Sequence, residues 1–283
     1  MGRITQRRPV TRIVGDLSTT GIDTLVVEEP LEIRVGGEPI AVTMRTPGHD
    51  MDLAAGFLVS EGLVVGRDDL RSLTYCVGAD AQNQYNVLNA RLAGPDPQLP
   101  ASSLRRALTT SSACGLCGKE QIEQIRTALV HDLRADLTTA AASAIQQLPD
   151  RLRTAQAVFD RTGGLHAAGL VDLCTGAVIV VREDVGRHNA VDKVVGWALR
   201  EGRLPLRGIG LVVSGRASFE LVQKAAVAGI PILAAVSAAS SLAVDLAEEV
   251  GLTLVGFVRG ERMVVYTGAE RIVTSSMAAL ASA

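Results

Sequence analysis

The sequence predicts an α/β protein with a smaller N-terminal α+β region, and three observations favour this fold class. After residue 155, short apolar strands alternate with helices, as in GIGLVV, FELVQKAAVAG and PILAAV. Strands that are apolar throughout are typical of a mostly parallel sheet covered by helices on both faces. Before residue 98 the pattern differs, with strands arranged around one helix. We therefore expect an α+β region at 1–98, a linking part at 99–154 and an α/β domain at 155–283.

The first of these parts combines strand pairs with one helix. Residues 24–45 predict two strands, and Gly36-Gly37 lies where a tight hairpin turn needs positive φ. Helical spacing follows in DMDLAAGFLVSEGLV, which places Leu53 and Leu58 on one face. LTYCV and YNVLNARL predict another pair of strands, and AGPDPQLP then breaks the pattern.

The linking part carries a pair of cysteines. A loop rich in Ser, Thr and Gly holds the stretch SSACGLCGKE, with Cys114 and Cys117 three positions apart. The next stretch, EQIEQIRTALVHDL, has the apolar spacing of a helix. TTAAASAIQQLPDRL is a weaker helical or linking stretch. The cysteine pair is therefore expected on a glycine-bearing loop that leads into a helix.

The α/β domain is expected to alternate strands and helices to its end. AQAVFD, GAVIVV, GIGLVV, PILAAV and LTLVGFV predict strands, and MVVYT is expected to pair with the last of them. RHNAVDKVVGWALREG, FELVQKAAVAG and SLAVDLAEEVG predict helices. RTGGLHAAGL stands between two of the predicted strands.

One uncharged stretch is long enough to be considered as a membrane-spanning segment. Residues 225–244 contain no charge, and twenty such residues would be long enough to span a bilayer. Gly229 and Pro231 interrupt the stretch, however, and Ser240 can cap a new helix. We expect a helix, a buried strand and a second helix, hence no membrane partner and a cytoplasmic protein. In a reducing cytosol four cysteines do not predict structural disulfides.

The composition also argues against nucleic acid as a partner. The 283 residues carry 28 Lys and Arg against 30 Asp and Glu, which gives a formal net charge of −2. Proteins that bind nucleic acid generally need a strongly basic surface. Aromatic residues, on which single strands stack, are only 3% of the chain.

The cysteine pair allows several chemistries. A zinc deaminase needs His-x-Glu and Pro before its first cysteine, but none of the four histidines has that Glu and Ala113 precedes Cys114. A structural zinc site would need Cys76 or a distant histidine as further ligands, so we expect no metal site. A thioredoxin-like motif would directly follow a strand. A thiol before a helix and near Lys119 should have a lowered pKa, which favours a nucleophile.

Three further stretches have the composition of a binding site. They are RTGGLHAAGL with His166, REDVGRHNAVDK with Arg187 and His188, and VVSGRASFELVQK with Arg216. Loops after strand ends of α/β sheets bind ligands, and helix N-termini with arginine favour phosphate. A solvated helix face would explain the charges of the second stretch equally well. Neither a Walker A motif nor G-x-G-x-x-G is present, so nucleotide hydrolysis and NAD binding have no support.

Taken together, these stretches resemble the formate dehydrogenase accessory sulfurtransferase family (FdhD). The matching blocks run in order along the chain: AAGFLVSEGLV, CGLCGKE, RTGGLHAAGL, EDVGRHNAVDK, SGRASFELVQKAAVAGIPIL, SAASSLAV and TLVGFVRGER. The resemblance implies a three-layer α/β/α sandwich similar to that of cytidine deaminases. It also implies a sulfurtransferase that accepts sulfur from a cysteine desulfurase as a cysteine persulfide. The sulfur then passes to the molybdenum cofactor, bis-(molybdopterin guanine dinucleotide), before its insertion into formate dehydrogenase.

The resemblance also implies roles for individual residues. It places the persulfide on Cys114 and gives Cys117 an assisting role. The cofactor-contacting segment corresponds to Phe257, Val258, Arg259, Gly260, Glu261 and Arg262. From the strand-end argument we add Arg187, His188 and Arg216 as expected cofactor contacts. The cofactor is bound as a substrate, no catalytic metal belongs to the protein, and the chain is expected to be a homodimer.

Two functions from other classes stay open at this point. One is a chaperone that holds the molybdenum cofactor and moves no sulfur. The other is a dithiol oxidoreductase that cycles the Cys114–Cys117 pair between thiol and disulfide.

Overall fold

A computed structural model describes residues 4–76, 85–94 and 129–274. The predicted cysteine pair, Cys114 and Cys117, lies outside these residues, as does most of the helix predicted after it. The described end of that stretch, from Leu129, is not α-helical and contains only a short 3-10 turn at Leu133–Ala135.

The N-terminal part consists of a hairpin and a four-stranded sheet with one helix. Its elements are β1 (Thr5–Val14), β2 (Leu17–Val26), β3 (Glu29–Val35), β4 (Glu38–Arg45), α1 (Asp50–Ser60), β5 (Leu70–Tyr75) and β6 (Val87–Leu92). β1 and β2 pair only with each other, and the sheet has the order β4-β3-β6-β5. Gly36 and Gly37 have φ values of 61° and 96° between β3 and β4, which confirms the predicted turn. The helix and the later strand pair are also confirmed.

The remainder forms a six-stranded sheet with helices on both faces. Its elements are β7 (Ala140–Ala141), α2 (Ala142–Gln146), α3 (Leu148–Thr154), α4 (Phe159–Thr162), β8 (His166–Asp172), β9 (Val178–Asp184), α5 (Arg187–Arg200), β10 (Ile209–Val213), α6 (Phe219–Val227), β11 (Ile232–Ala235), α7 (Ser241–Val250), β12 (Thr253–Arg259), β13 (Arg262–Thr267) and β14 (Ile272–Val273). The sheet has the order β13-β12-β11-β10-β8-β9.

The expectation of a mostly parallel sheet was wrong. Among neighbouring strands only the pairs β10–β11 and β11–β12 are parallel, and the pairs β8–β9, β8–β10 and β12–β13 are antiparallel. The reason lies in the connections, because β8–β9 and β12–β13 are joined by short turns, whereas parallel neighbours need long crossovers. Helices connect β9 to β10, β10 to β11 and β11 to β12, but the antiparallel strand β8 lies between β9 and β10, so only the last two crossovers join neighbouring strands.

Two stretches adopt different structures from those predicted. AQAVFD was expected as a strand, but its end starts the short helix α4. RTGGLHAAGL was placed between strands, yet its second half is the buried strand β8. Gly169 lets β8 pack closely against its neighbours, because it has no side chain. A Cβ there would lie 3.1 to 3.4 Å from side chains of Leu152, Val212 and Val181, so neighbouring side chains fill the space.

The two faces of the six-stranded sheet bury separate cores. Leu211 and Val213 of β10 belong to the core under α5, α6 and α7, whereas Val212 belongs to the core under α2 and α3. The alternation follows from the two-residue period of a strand. The result is the expected three-layer α/β/α arrangement.

The prediction of a helix, a buried strand and a second helix for the uncharged stretch 225–244 is confirmed. The stretch forms the end of α6, the buried strand β11 and the start of α7, where the Ser240 hydroxyl accepts a hydrogen bond from the Ala243 amide. In the described parts of the chain, no helix has both the length and the apolar composition that crossing a bilayer requires.

Candidate functional site

The site predicted from strand ends lies along one rim of the six-stranded sheet. The parallel strands β10, β11 and β12 end there, and β8, which runs the opposite way, begins there with His166. β9 also ends at this rim, because Asp184 pairs with His166. We call this rim the carboxyl edge and define it by His166, residues 184–188, 214–218 and 236–240, and Phe257.

Three helices begin at the carboxyl edge. α5, α6 and α7 follow β9, β10 and β11, so their N-termini share one side of the sheet. Helix N-termini carry partial positive charge and free N–H groups, which favour anions. Gly186 and Ser218 precede α5 and α6, and neither gives its helix a side-chain cap. This edge can therefore receive negative groups of a ligand.

Hydrogen bonds between backbone groups hold the loops of this edge together. The Ser237 amide donates to the Gly215 carbonyl at 3.3 Å, and the Phe257 amide donates to the Ser237 carbonyl at 3.1 Å. Ala217 donates to Ala238 at 3.0 Å. The three successive loops therefore form one connected surface on which side chains are fixed.

Arg187 begins α5 and carries an unsatisfied donor. Its Nε is buried and has no hydrogen-bond partner among the described residues. Buried polar atoms are nearly always paired, and an arginine nitrogen can be paired only by an acceptor. A ligand oxygen at the N-terminus of α5 would supply that acceptor.

His188 and Glu220 form a pair beside Arg187. His188 Nε2 lies 2.7 Å from Glu220 Oε2 and 3.4 Å from the Ser218 hydroxyl. The hydrogen bond from His188 is the main cause that lowers the pKa of Glu220, so this carboxyl is ionised near neutral pH. His188 therefore links α5 to the start of α6.

His166 is a residue of this edge that the sequence analysis singled out without giving it a role. Its Nδ1 lies 3.5 Å from the position that a Cβ on Gly215 would take, an ordinary van der Waals distance, so the ring stands next to the loop that follows β10. Burial, followed by the charges of Arg187 and His188, lowers the pKa of His166. The imidazole is therefore neutral near pH 7 and can offer one donor and one acceptor. The sequence signal that could have indicated a role for His166 is its position at the start of a strand, shortly after Gly163 and Gly164.

Arg216 and the segment from Phe257 to Arg262 complete the arrangement. Arg216 is exposed in the loop between β10 and α6, and Arg259 and Arg262 are exposed where β12 turns into β13. Within the described parts of the chain, these three arginines make no ion pair. Their guanidinium groups are accordingly available to a ligand.

The backbone of that segment is unusual. Phe257 has φ 51° and Gly260 φ 54°, and the pairing of β12 with β13 shifts register between Gly256 and Arg259. The Phe257 ring is half exposed, whereas Val258 is fully buried in the core under α2 and α3. Only the backbone of Val258 can therefore meet a ligand, while Gly260 and Glu261 lie exposed at the turn.

Most charges of REDVGRHNAVDK serve the fold. Lys193 and Asp184 are almost completely buried and pair at 2.6 Å. Asp184 also accepts hydrogen bonds from the Gly186 amide at 2.9 Å and from the Asn189 side chain at 3.1 Å. The alternative of a solvated helix face does not hold for Lys193 and Asp184, because both side chains are buried. Their contacts hold the connection between β9 and α5, where Arg187 lies.

Asp192 is also buried, in a second ion pair. It accepts two hydrogen bonds from Lys224 at 2.8 Å and one from the Ser60 hydroxyl at 2.7 Å. The pair lines a cavity of about 170 Å³ between α1, α5 and α6, which His188 and Glu220 also border. Lys224, on a helix that the sequence linked to the site, thus supports the helices behind the edge.

A larger cavity, of about 570 Å³, lies at the other end of the sheet. Arg134 and Arg271 line it, but both guanidinium groups donate to backbone carbonyls. Their hydrogen bonds hold the segment around Leu133 against the end of α7. None of the predicted site residues borders this cavity.

The described residues show no cluster that would hold a metal ion. In 4–76, 85–94 and 129–274 no group of three His, Cys, Asp or Glu side chains is placed for coordination. Cys114 and Cys117 are outside these ranges, so the expectations about the cysteine pair stay predictions.

Comparison with known proteins decides the family. The model of the FdhD/NarQ family matches residues 26–273. The chain belongs to the FdhD/NarQ family. It is 57% identical to the sulfur carrier protein FdhD of Nocardia farcinica over 273 residues, 96% of each chain. It is 56% identical to that of Streptomyces avermitilis over 282 residues, 99% of each chain.

A solved structure supports the same fold at lower identity. It is the crystal structure of a candidate formate dehydrogenase accessory protein from Desulfotalea psychrophila, which matches with a TM-score of 0.74 and 24% identity. The match covers 96% of this chain and 100% of that one. FdhD/NarQ membership thus agrees with the α/β architecture and with the resemblance drawn from the sequence blocks.

Proposed function

We propose that this protein is a sulfur carrier in the maturation of formate dehydrogenase. The FdhD/NarQ match and the relatives named sulfur carrier protein FdhD support a role in carrying sulfur. In this proposal a cysteine desulfurase is the donor, the molybdenum cofactor is the acceptor, and the protein works in the cytoplasm. The acceptor is bound as a substrate in its bis-(molybdopterin guanine dinucleotide) form.

The unsatisfied Nε of Arg187 is the observation that carries the binding part of the proposal. It lies at the N-terminus of α5, on the edge of the sheet where α6 and α7 also begin, and Arg216 is exposed on the same edge. The proposed cofactor has phosphates and guanine rings, so it offers both the acceptor oxygens and flat surfaces. Arginine binds phosphate through parallel charge-assisted hydrogen bonds, and the exposed Phe257 ring suits stacking on a base.

The sulfur part of the proposal rests on Cys114. The Cys114 thiolate attacks the outer sulfur of the donor's cysteine persulfide, and the donor cysteine leaves as a thiolate. Cys114 then holds one additional sulfur in a new S–S bond. The acceptor attacks that outer sulfur, the S–S bond breaks, and Cys114 returns to the thiolate form. Cys117 assists this exchange.

Intact mass measurement tests the sulfur part. After incubation with a cysteine desulfurase and cysteine, the protein should gain the mass of one sulfur, which a reductant removes. Cys114→Ala should abolish the gain, whereas Cys174→Ala, at an exposed cysteine in the described part of the chain, should not. Unchanged loading of Cys114→Ala would move the persulfide elsewhere. A protein that binds the cofactor and never gains sulfur would instead be a chaperone.

Titration with GDP, as a stand-in for the guanosine diphosphate half of the cofactor, tests the binding part. A hydrogen bond to a charged group contributes about 1.5–3 kcal/mol, so Arg187→Ala should weaken binding by roughly tenfold or more. Arg259→Ala and Arg262→Ala should also weaken it, whereas Arg91→Ala, an exposed arginine of β6, should not. Equal affinities for all these variants would place the ligand away from the carboxyl edge.

A further inference from the structure

The cavity of about 170 Å³ between α1, α5 and α6 combines apolar and polar walls. Its apolar walls are the buried side chains of Ile33, Ala41 and Leu53, together with the partly buried ring of Phe57. Most of its polar groups come from α5 and α6. Ligand pockets typically combine apolar walls with a few polar groups that fix the orientation of the ligand. The polar groups that stay unpaired therefore indicate what the cavity can hold.

Lys224 brings a buried donor to this cavity. Its amine donates to both carboxylate oxygens of Asp192 at 2.8 Å, and the residue is only 9% exposed. A lysine amine has three N–H donors. In the described parts of the chain, no acceptor pairs with the third one. Because a buried donor without a partner is costly, an oxygen atom of a ligand is favoured beside Lys224.

Two further polar side chains of α6 border the cavity with unpaired atoms. Gln223 is half buried, and its side-chain amide makes no hydrogen bond with any described residue. Glu220 pairs with His188 through Oε2 at 2.7 Å, whereas its Oε1 has no partner among the same residues. The Gln223 carbonyl and Glu220 Oε1 are both acceptors, so together they suit a group that donates several hydrogen bonds.

The charge of the lining disfavours a ligand that is only an anion. Three acidic side chains, Glu61, Asp192 and Glu220, border the cavity together with one lysine and one histidine. The hydrogen bond from His188 keeps Glu220 ionised near neutral pH. Even with His188 protonated, the acidic side chains outnumber the basic ones, three against two. A ligand should therefore carry a positive group, since charges interact more strongly where water is largely excluded.

The volume of the cavity limits the size of the ligand. A dry cavity of about 150 Å³ in another protein holds one benzene molecule. The cavity here, at about 170 Å³, can therefore hold a molecule of roughly six to eight non-hydrogen atoms. A free α-amino acid with a short apolar side chain has this size. It also combines an ammonium group, a carboxylate and an apolar part, which match the unpaired acceptors, the lysine donor and the apolar walls.

We propose that the cavity binds a free α-amino acid with a short apolar side chain. Its ammonium group donates to Glu220 Oε1 and to the Gln223 carbonyl, and its carboxylate accepts from Lys224. Its side chain packs against Leu53 and Phe57. The Glu220 side chain is 48% exposed, so the ligand can enter beside it. The bound amino acid joins α1 to α6, and this role is independent of sulfur transfer and of cofactor binding.

Titration calorimetry with three matched probes tests the chemistry of the site. L-2-aminobutyrate has all three groups, butyrate lacks the ammonium group, and propylamine lacks the carboxylate. L-2-aminobutyrate should bind more tightly than either of the others by roughly tenfold or more, because each of them loses a hydrogen bond between charged groups. The urea midpoint of unfolding should rise with its concentration, because the ligand binds only the folded chain. Equal binding of the three probes would overturn the proposal, and so would no binding of L-2-aminobutyrate at millimolar concentrations, the result for a cavity that holds only water.

Three variants test whether the amino acid lies in this cavity. Ala41→Ile fills part of the cavity and should abolish binding, and Gln223→Leu should weaken it by roughly tenfold. Gln6→Leu, at an exposed glutamine of β1, should bind as the wild type does. None of these residues belongs to the carboxyl edge, so an unchanged affinity for GDP separates the result from the proposed function. If Ala41→Ile alters the circular dichroism spectrum, Gln223→Leu decides alone, and wild-type affinity for the amino acid in that variant means that the proposal is wrong.

Discussion

At the scale of single residues, His166 lies on the carboxyl edge and should also make the stability of the protein depend on pH. Burial holds its pKa below the usual value of 6.5, and the pKa values of His49 and His131 are lowered by burial as well. Between the folded-state pKa and about 6.5 the unfolded chain binds protons that the folded chain does not. The free energy of unfolding should therefore fall as the pH drops below 6.5, and the loss stops below the folded-state pKa.

His166→Gln should reduce that pH dependence. Glutamine cannot be protonated, so one of the three contributions disappears while the other two remain. Urea unfolding at several values between pH 7.5 and pH 5 measures the slope, since the carboxyls with lowered pKa, such as Glu220, change only at lower pH. His188→Gln, at a histidine on the same edge, is the comparison. A slope unchanged in His166→Gln would mean that the imidazole is protonated equally in both states.

Phe257 allows a second prediction at this scale. A residue with a Cβ is strained at φ 51°, at a cost of roughly 1–2 kcal/mol that glycine avoids. Phe257→Gly should therefore be more stable than Phe257→Ala by about 1 kcal/mol, the reverse of the usual order. Chemical denaturation measures the difference, and both variants should lose GDP affinity because both lack the ring. A more stable alanine variant would show that the left-handed conformation is not kept in solution.

The sequence could predict which stretches form the carboxyl edge but not what each charge does there. Arg187 and Lys193 come from one polar stretch, yet only the first has a donor available for a ligand. The difference depends on Asp184 and on the Thr46 carbonyl, which is 147 positions away from Lys193 in the sequence. Contacts over such separations leave no periodic signal in a single sequence.

At the scale of elements, two glycines determine how α1 meets α5. A Cβ on Gly56 would overlap the Asp192 carbonyl, and a Cβ on Gly196 would overlap the Asp52 carbonyl. The helix backbones therefore touch directly at this crossing. This contact attaches the N-terminal sheet to the sandwich and positions the start of α5, where Arg187 lies.

Gly196→Ala should destabilise the protein in spite of alanine's higher helix propensity. Propensity favours alanine by about 1 kcal/mol, but added volume in a packed contact typically costs 1–3 kcal/mol, and more when backbone must move. We expect a net loss of about 2 kcal/mol in the free energy of unfolding. Gly66→Ala, where no atom lies within 4 Å of the new Cβ, should change it by less than about 0.5 kcal/mol. Similar losses in both variants would contradict the close helix crossing.

The elements themselves were predictable where their apolar periodicity was strong. α5, α6, α7 and the strands between them follow the predicted order, because each buries a regular pattern of side chains. β8 was missed because Ala167, Ala168 and Gly169 give a weak apolar signal, although neighbouring strands bury them completely. The hairpin β1–β2 has little burial in this chain and gave no clear pattern to read.

At the scale of the whole molecule, the N-terminal part and the sandwich share buried ion pairs. Asp52 of α1 binds Arg182 of β9 at 3.0 Å, and the Thr46 amide donates to Asp184 at 3.2 Å. Lys193 contributes most directly, since its amine donates to the Thr46 carbonyl at 2.9 Å and pairs with Asp184. The sequence predicted separate parts at 1–98 and 155–283, but such shared pairs should make them unfold together.

Lys193→Met tests this coupling. The substitution leaves the Asp184 carboxylate buried without its cation, which typically costs 3–5 kcal/mol, and it removes the hydrogen bond to the N-terminal part. Arg200→Met on the same helix is the matched control. Arg200 is half exposed and Asp52 keeps Arg182, so the loss there should stay below about 1 kcal/mol. Chemical denaturation and, separately, calorimetry should each show one unfolding transition in every variant. The midpoint of that transition should shift strongly only in Lys193→Met. Two separate transitions, with one at the wild-type midpoint, would show that the N-terminal part and the sandwich are stable independently of each other.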